Sequence, residues 1–417
     1  MAISKPLSYG NWSNVMEYLD VNVRHDLSIR APLLRNTHLS SPLKFHRLRL
    51  DASSLVLNNI EHSFYSFMEN PSGTELPVEM QMLNMMGGQP FDLDQFGEKE
   101  PNGEIKPGDL NIGYTVETAA GTPTKMSRGQ MVPFVKYYRR PYLSKTPHYL
   151  EESIRYSPGF KIRDLIGKLI ETILTKHQTV IVKVLEVDTE NCVLRWPEGC
   201  KINIEELRLG GTVTRSIEPD EPFEIMGMMR NPRRCIYDIL EPASFPLKHF
   251  SFESYSNRDH VWQNKKLMAS KTLSIKYYSS SNFVGILATL RNKTIEILNF
   301  CVPLTGFRAL AISWIDNPRE IGTKVSMASQ SMFIQRVMNS LCKKSGKKVR
   351  AKMGKLYSKV CQPEFPYCYT FNVDNTSELN FYVQKSKNYE EEIGKRNGLP
   401  WFIVMESMRA GSAVLVD

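Results

Sequence analysis

The sequence predicts a mixed α/β protein in which a small helical unit precedes a strand-rich body. Two observations predict it. Apolar residues recur at helical intervals before Pro32, and from Pro42 onward they alternate as in strands. A hydrophobic share of 41%, with 10% aromatics, supplies a core for the 417 residues, and that length suits two or three domains or one elongated array.

In the opening unit Trp12, Val15, Met16 and Leu19 stand at i, i+3, i+4 and i+7, which is one face of a helix, with Asn11 as its cap. A polar break at Asp20–Asn22 separates it from a second short helix carrying Val23 and Leu27, which Pro32 ends. A unit of that size buries too little to stand alone, so it packs on the next domain or on a partner.

The segment PLKFHRLRLD begins the strands with Phe45, Leu48 and Leu50. Its shape, one apolar residue, two others, then apolar-x-apolar, returns as Ile204, Leu207, Leu209 and as Leu247, Phe250, Phe252. Shorter versions hold Leu273 with Ile275 and Ile295 with Ile297. The last three lie 22 to 23 residues apart, an interval that suggests a leucine-rich-repeat-like stack. A plain α/β domain with several strands is the other reading, because the Asn or Cys that usually follows such a repeat is replaced by Thr212, Tyr255, Tyr278 and Phe300. Residues 62–150 are rich in Gly, Pro and acids and read as a long insertion with a hairpin around GEIKPGDLNIG.

The clearest helix is 161–176, where Leu165, Ile166, Leu169, Ile170, Ile173 and Leu174 form a wide stripe and Lys176 complements the dipole. The strand 179–187 follows it. A second helix spans 329–342 with Phe333, Ile334, Val337, Met338 and Leu341 on one side, and 377–384 pairs with 401–407 as the closing strands. The organisation is therefore a helical unit at 1–41, first strands with a loop-rich insertion at 42–150, and an α/β, leucine-rich-repeat-like body at 151–417.

Motifs of catalysis are absent: there is no Walker loop, G-x-G-x-x-G, H-E-x-x-H or G-x-S-x-G. The eight histidines do not fall at metal-ligand intervals, and Asp92 and Asp94 lack the further carboxylates of a calcium loop. The expectation is a non-enzymatic protein with no cofactor and no metal. Seven cysteines with no zinc spacing, no apolar leader and no apolar run of bilayer length predict an intracellular protein, cytoplasmic or nuclear, with no membrane association. The three N-x-S/T sequons, at Asn11, Asn292 and Asn375, are then chance matches.

The net charge of +9 is local: residues 343–359 hold eight Lys/Arg and no acid. Lys343, Lys344, Lys347, Lys348, Arg350, Lys352 and Lys355 make a basic patch that favours acidic partners or phosphates. With Tyr357 as its single aromatic residue, it supports nucleic-acid binding weakly.

The opening residues resemble a divergent F-box. Pro6-Leu7 stands where that motif has a Leu-Pro pair, in reverse order; Val15, Met16 and Leu19 give the helix face; and DLSIRAP supplies Leu27, Ile29 and Arg30. Arg24 and His25 sit where apolar or small residues are common in F-boxes. The stretches PLSYGNWSNVMEYLDVNVRHDLSIRAPLLRN, GGQPFDLDQFG, IKPGDLNIG, SWIDNPREIGT and DNTSELNFYV resemble landmarks of an uncharacterised, nematode-expanded family with an F-box-associated body, over most of the chain. The resemblance implies that Pro6, Leu7, Val15, Met16, Leu19, Leu27 and Ile29 bind the adaptor of a cullin–RING ubiquitin ligase. The body would then hold a protein substrate of unknown identity. The alternative is a binding protein with no ligase link, its helices serving as a cap.

Overall fold

The computed structural model describes residues 9–71, 73, 75–100, 106–112, 131–142, 152–175, 177, 179–187, 192–210, 236–254, 260–277, 283–299, 304–341, 352–356, 363–386 and 398–415. These form two compact units, the first ending at Ser244 and the second starting at Phe245. Both are mixed α/β.

Unit 1 opens with helices α1 (Tyr9–Tyr18), α2 (Val21–Arg30) and α3 (Arg35–Ser40). Asp20 caps α2 by accepting from the Asn22 amide at 2.9 Å. The buried side of α2 is not the expected Val23–Leu27 side: Val23 is exposed, while Val21, Asn22, Arg24 and Ser28 face inward. The polar members are satisfied there. Asn22 Nδ2 donates to Leu57 O at 3.0 Å, and the Arg24 guanidinium donates to Pro42 O, His38 O and Ser41 O at 2.8, 3.0 and 3.2 Å. Buried polar groups that find such partners replace apolar packing at little net cost.

The unit 1 strands are β1 (Leu43–Leu50), β2 (Ser54–Leu57), β3 (Ile60–Glu69), β4 (Leu110–Ile112), β5 (Val132–Pro141), β6 (Glu152–Arg155), β7 (Val180–Val187), β8 (Cys192–Leu194) and β9 (Asn203–Leu209). Its main sheet runs β9-β7-β1-β2-β3-β5-β6, with β9, β7 and β1 parallel and the rest antiparallel. The repeated apolar spacing has a physical meaning in the parallel strands. Phe45, Val182 and Ile204 form one row, Leu48, Leu185 and Leu207 another, and Leu50, Val187 and Leu209 a third. The three-residue step from the first row to the second moves the buried side chains to the opposite face, because successive strand residues alternate. Strands β1 and β9 are thus covered on one face at the start and on the other at the end, while β7 between them is buried on both faces from Val184 to Val187.

Strand β4 pairs with β8; residues 103–105 and 113 of the expected hairpin lie outside the described residues. The region read as an insertion also holds α4 (Val78–Met85), whose Met80 packs with Met68, Leu93 and Met131. The expected long helix is α5 (Ile162–Leu174). Asp92 Oδ1 accepts from its Ile162 amide at 2.7 Å, so a carboxylate 70 residues away caps it.

Unit 2 holds β10 (His249–Ser254), α6 (Lys265–Met268), β11 (Thr272–Tyr277), α7 (Phe283–Thr289), β12 (Thr294–Ile297), α8 (Leu304–Asp316), β13 (Lys324–Ser329), α9 (Ser331–Leu341), β14 (Lys352–Leu356), β15 (Cys368–Asn372), β16 (Ser377–Lys385), β17 (Trp401–Arg409) and β18 (Ala413–Leu415). Its strand order is β10-β11-β12-β13-β17-β16-β15-β14-β18, the first four parallel and the remainder antiparallel. The expected closing pair is β16 with β17, in register from Ser377↔Arg409 to Lys385↔Trp401. Phe250, Phe252, Leu273, Ile275, Ile295, Ile297, Val325 and Met327 are all buried on one face of the parallel strands. Phe252 meets Trp262 at 4.9 Å between ring centroids, and Trp262 meets Phe283 of α7 at 6.4 Å, so this is the helix-covered side. Asn292 joins successive strand entries, donating to Met268 O and Ser270 O at 2.8 and 2.6 Å.

Candidate functional site

Two surfaces stand out for binding: the N-terminal helices of unit 1 and the polar face of the parallel strands in unit 2. On the helices, the residues expected to meet an adaptor are divided. Met16 is 0% exposed, Val15, Leu19 and Leu27 are half-buried, and Ile29 is exposed. Pro6 and Leu7 lie outside the described residues. Met16 is therefore core, and among the described side chains of α1, α2 and the following turn the large apolar ones left at the surface are Tyr18, Val23, Ile29 and Leu33. Sequence periodicity missed Val23 as a surface residue because Arg24 took the inward place.

The helices are held rigidly beneath that surface. Besides the Arg24 fan, Glu17 pairs with Lys44, Asn58 Nδ2 donates to Asp20 at 2.6 Å, and Arg139 meets Asp26 at 3.0 Å. The Lys44 ammonium beside Glu17 holds that carboxyl below its usual range through a hydrogen bond and charge attraction. His38 and His177 meet edge to face at 4.6 Å under the helices, and burial pushes both imidazoles down to about 4.

In unit 2 the second face of the parallel strands carries the residues between the apolar positions. His249, Thr272, Thr294 and Lys324 form one row, and Ser251, Ser274, Glu296 and Ser326 the next. Ser274 Oγ donates to Glu296 Oε2 at 3.0 Å, and His249 Nε2 is hydrogen-bonded to the same hydroxyl at 2.9 Å. Lys276 meets Glu253 at 2.9 Å. The His249–Ser274–Glu296 chain fixes three polar groups in place across three strands, with Ser274 buried between the half-buried His249 and Glu296.

At the carboxyl ends of the parallel strands of unit 1, Glu186 accepts from Arg47 and from Arg208 at 2.9 Å, and the Tyr142 hydroxyl accepts from Arg49 at 2.7 Å. These arginines are taken up by internal acceptors, so the cluster braces the sheet. Of the basic patch, Lys352 and Lys355 sit exposed on β14, and Lys343, Lys344, Lys347, Lys348 and Arg350 lie outside the described residues. Among the described residues no group of three or more His, Cys, Asp or Glu is placed to hold a metal, and no helix is long and apolar enough to cross a membrane.

No curated protein and no solved structure matches the chain. A domain of unknown function, DUF3557, matches residues 224–331. That segment contains all four parallel strands of the polar face in unit 2.

Proposed function

We propose that the chain is a non-enzymatic protein-interaction module of the substrate-receptor kind. Its N-terminal helices engage the adaptor of a cullin–RING ubiquitin ligase, and its strand body holds a protein substrate. The observation that carries this reading is the set of apolar side chains, Tyr18, Val23, Ile29 and Leu33, left at the surface of helices whose inward side is already anchored by Arg24 and Asn22. Apolar groups held at a rigid surface gain most from a partner that covers them. The F-box resemblance of residues 6–30 supports the choice of partner.

The body reads as leucine-rich-repeat-like. What supports this is the in-step run of parallel strands at His249, Thr272 and Thr294, 22 to 23 residues apart, with helices on one side and polar groups on the other. The substrate surface in this reading is the His249–Ser274–Glu296 face. Reduced thiols at Cys200 and Cys368 suit an intracellular protein.

The test is a pull-down of the full chain with the ligase adaptor, beside a Val23→Asp/Ile29→Asp variant. Both sites are exposed, so the variant is expected to fold. Binding by the wild type and loss in the variant supports the reading. No binding by either protein sinks the ligase link and leaves a binding protein that uses the strand face, with the helices as a cap. The polar rows in unit 2 favour that second reading on their own.

A further inference from the structure

Helix α4 is apolar on two sides. Its inner side is committed: Met80 lies in the cluster with Met68, Leu93 and Met131, and Leu76, Leu83 and Phe91 pack against it. Asn84 clamps the helix to β3, donating from Nδ2 to Met68 O at 2.8 Å and accepting from the Met68 amide at 3.1 Å. Gly97 presses on the same side; a Cβ there would stand 2.6 Å from Met80 Sδ. The orientation of α4 about its own axis is therefore fixed.

Its outer side carries Val78, Met82, Met85 and Met86 at i, i+4, i+7 and i+8, all exposed, Met85 and Met86 at 87% and 78%. These positions fall within roughly 100° of one another on a helix of 3.6 residues per turn. Phe96, on the loop that touches Met80, is exposed as well. An outward row of that kind contributes nothing to the core. Thioether side chains are unbranched and polarizable and mould to varied apolar partners.

The electrostatics select the occupant. Residues 70–98 contain five acids, Glu75, Glu79, Asp92, Asp94 and Glu98, and no Lys, Arg or His, in a chain whose net charge is +9. Glu75 and Glu79, just before and within α4, are exposed, and the cation that follows this stretch, Lys99, lies over the Phe91 ring of the inner cluster at 5.2 Å. An apolar row with an acidic surround is complementary to a helix with apolar anchors on one face and Lys/Arg on the other. It repels an anionic lipid surface.

We infer that the outer face of α4 is a second docking surface, separate from the N-terminal helices, that takes a cationic amphipathic helix of a partner protein. The probe is a fluorescein-labelled, 18-residue Leu/Lys amphipathic peptide titrated with the full chain and read by anisotropy. A Met82→Gln/Met85→Gln/Met86→Gln variant, with unchanged thermal midpoint, is expected to bind about tenfold more weakly or worse. Glu75→Gln/Glu79→Gln is expected to weaken binding about threefold and flatten its salt dependence. A Leu/Glu version of the peptide is expected not to bind. Equal binding by the methionine variant overturns the inference, as does equal binding of the Leu/Glu peptide. So does a concentration-dependent dimer in sedimentation that the methionine substitutions dissolve, since a second copy would then cover the face. Co-sedimentation with phosphatidylcholine/phosphatidylserine vesicles, lost in the same variant, overturns it in favour of a membrane.

Discussion

Replacing Arg24 tests whether the helices of unit 1 are held from within. Its side chain is 1% exposed and its guanidinium supplies three hydrogen bonds, to Pro42 O, His38 O and Ser41 O. Those carbonyls end α3 and begin β1, so a single side chain on α2 ties three elements together. Arg24→Met keeps most of the apolar stem and removes every donor. A buried carbonyl left without a donor costs about 1–3 kcal/mol, and release of the guanidinium from its desolvated site offsets part of the sum. That burial is also what pulls the pKa of Arg24 below its usual value. The net expected loss is about 3 kcal/mol, confined to the N-terminal helices. Arg24→Lys, whose ammonium lacks the guanidinium fork, is expected to lose about 2 kcal/mol. Native-state hydrogen exchange reads this locally at the Ala31 and Ser41 amides, which bond to Leu27 O and Thr37 O at 2.8 and 3.2 Å. A loss of 3 kcal/mol speeds their exchange by roughly a hundredfold. Acceleration below about tenfold in Arg24→Met would refute the claim that the arginine fan anchors the helices.

Acid is expected to loosen the same region. Burial holds His38 neutral down to about 4, whereas the unfolded chain protonates near 6.5; stability is complete above pH 6.5 and is lost as the pH falls toward 4. Between pH 7 and pH 5 the His38 contribution is about 2 kcal/mol. The neighbouring charges of Arg24, His25 and His177 act in the same direction. His38→Asn should flatten the pH dependence of the urea midpoint, and an unchanged profile would count against it. In unit 2, Asn292→Ala leaves Met268 O and Ser270 O without their donor and is expected to cost about 2 kcal/mol in urea denaturation. The side chain is buried, so glycan occupancy at this sequon should be absent in mass spectra of protein from a secretory host. Gly167, in the middle of α5, is a position where helix propensity favours Ala by about 1 kcal/mol. Yet a Cβ there would stand 2.5 Å from Arg195 Cβ, and Arg195 is tied to Asp109 at 2.8 Å and to Asp164. Gly167→Ala is therefore expected to lower the thermal midpoint, at a cost of about 1–3 kcal/mol, and a raised midpoint would show that the contact relaxes freely.

The elements legible in the sequence are those whose burial follows one period. Helix α5, strand β7, helix α9 and the β16–β17 pair each bury a regular stripe or run. The recurring apolar-x-x-apolar-x-apolar shape was legible as a repeat, but not as a change of buried face, because a face switch and a packing irregularity look alike in one strand and separate only when three strands align. Helix α4 was hidden in Gly- and Pro-rich text: eight residues with apolar groups on both sides carry no polar face to set a period. The polar packing of α2 was illegible for a different reason. Arg24 and Asn22 look like surface residues unless the carbonyls that receive them, 14 to 35 positions away, are known. The His249–Ser274–Glu296 chain is dispersed at one residue per strand, and each member alone is an ordinary polar residue between two apolar ones.

The in-step register of β10 to β13 separates two kinds of information along the same backbone. Alternate positions specify how the strands stack on their helices, and the positions between them specify only what the outer face displays. Exchanging Ser251, Thr272 or Thr294, which are half-buried, for other polar residues would rewrite that display one letter per strand and leave the interior alphabet untouched. A one-residue deletion inside any of these strands would do the reverse, turning the interior letters outward from that point on. Unit 2 is in that sense a scaffold open to substitution and closed to slippage, and variation in its outward residues should travel through point changes in alternate positions, with changes in length confined to the connections.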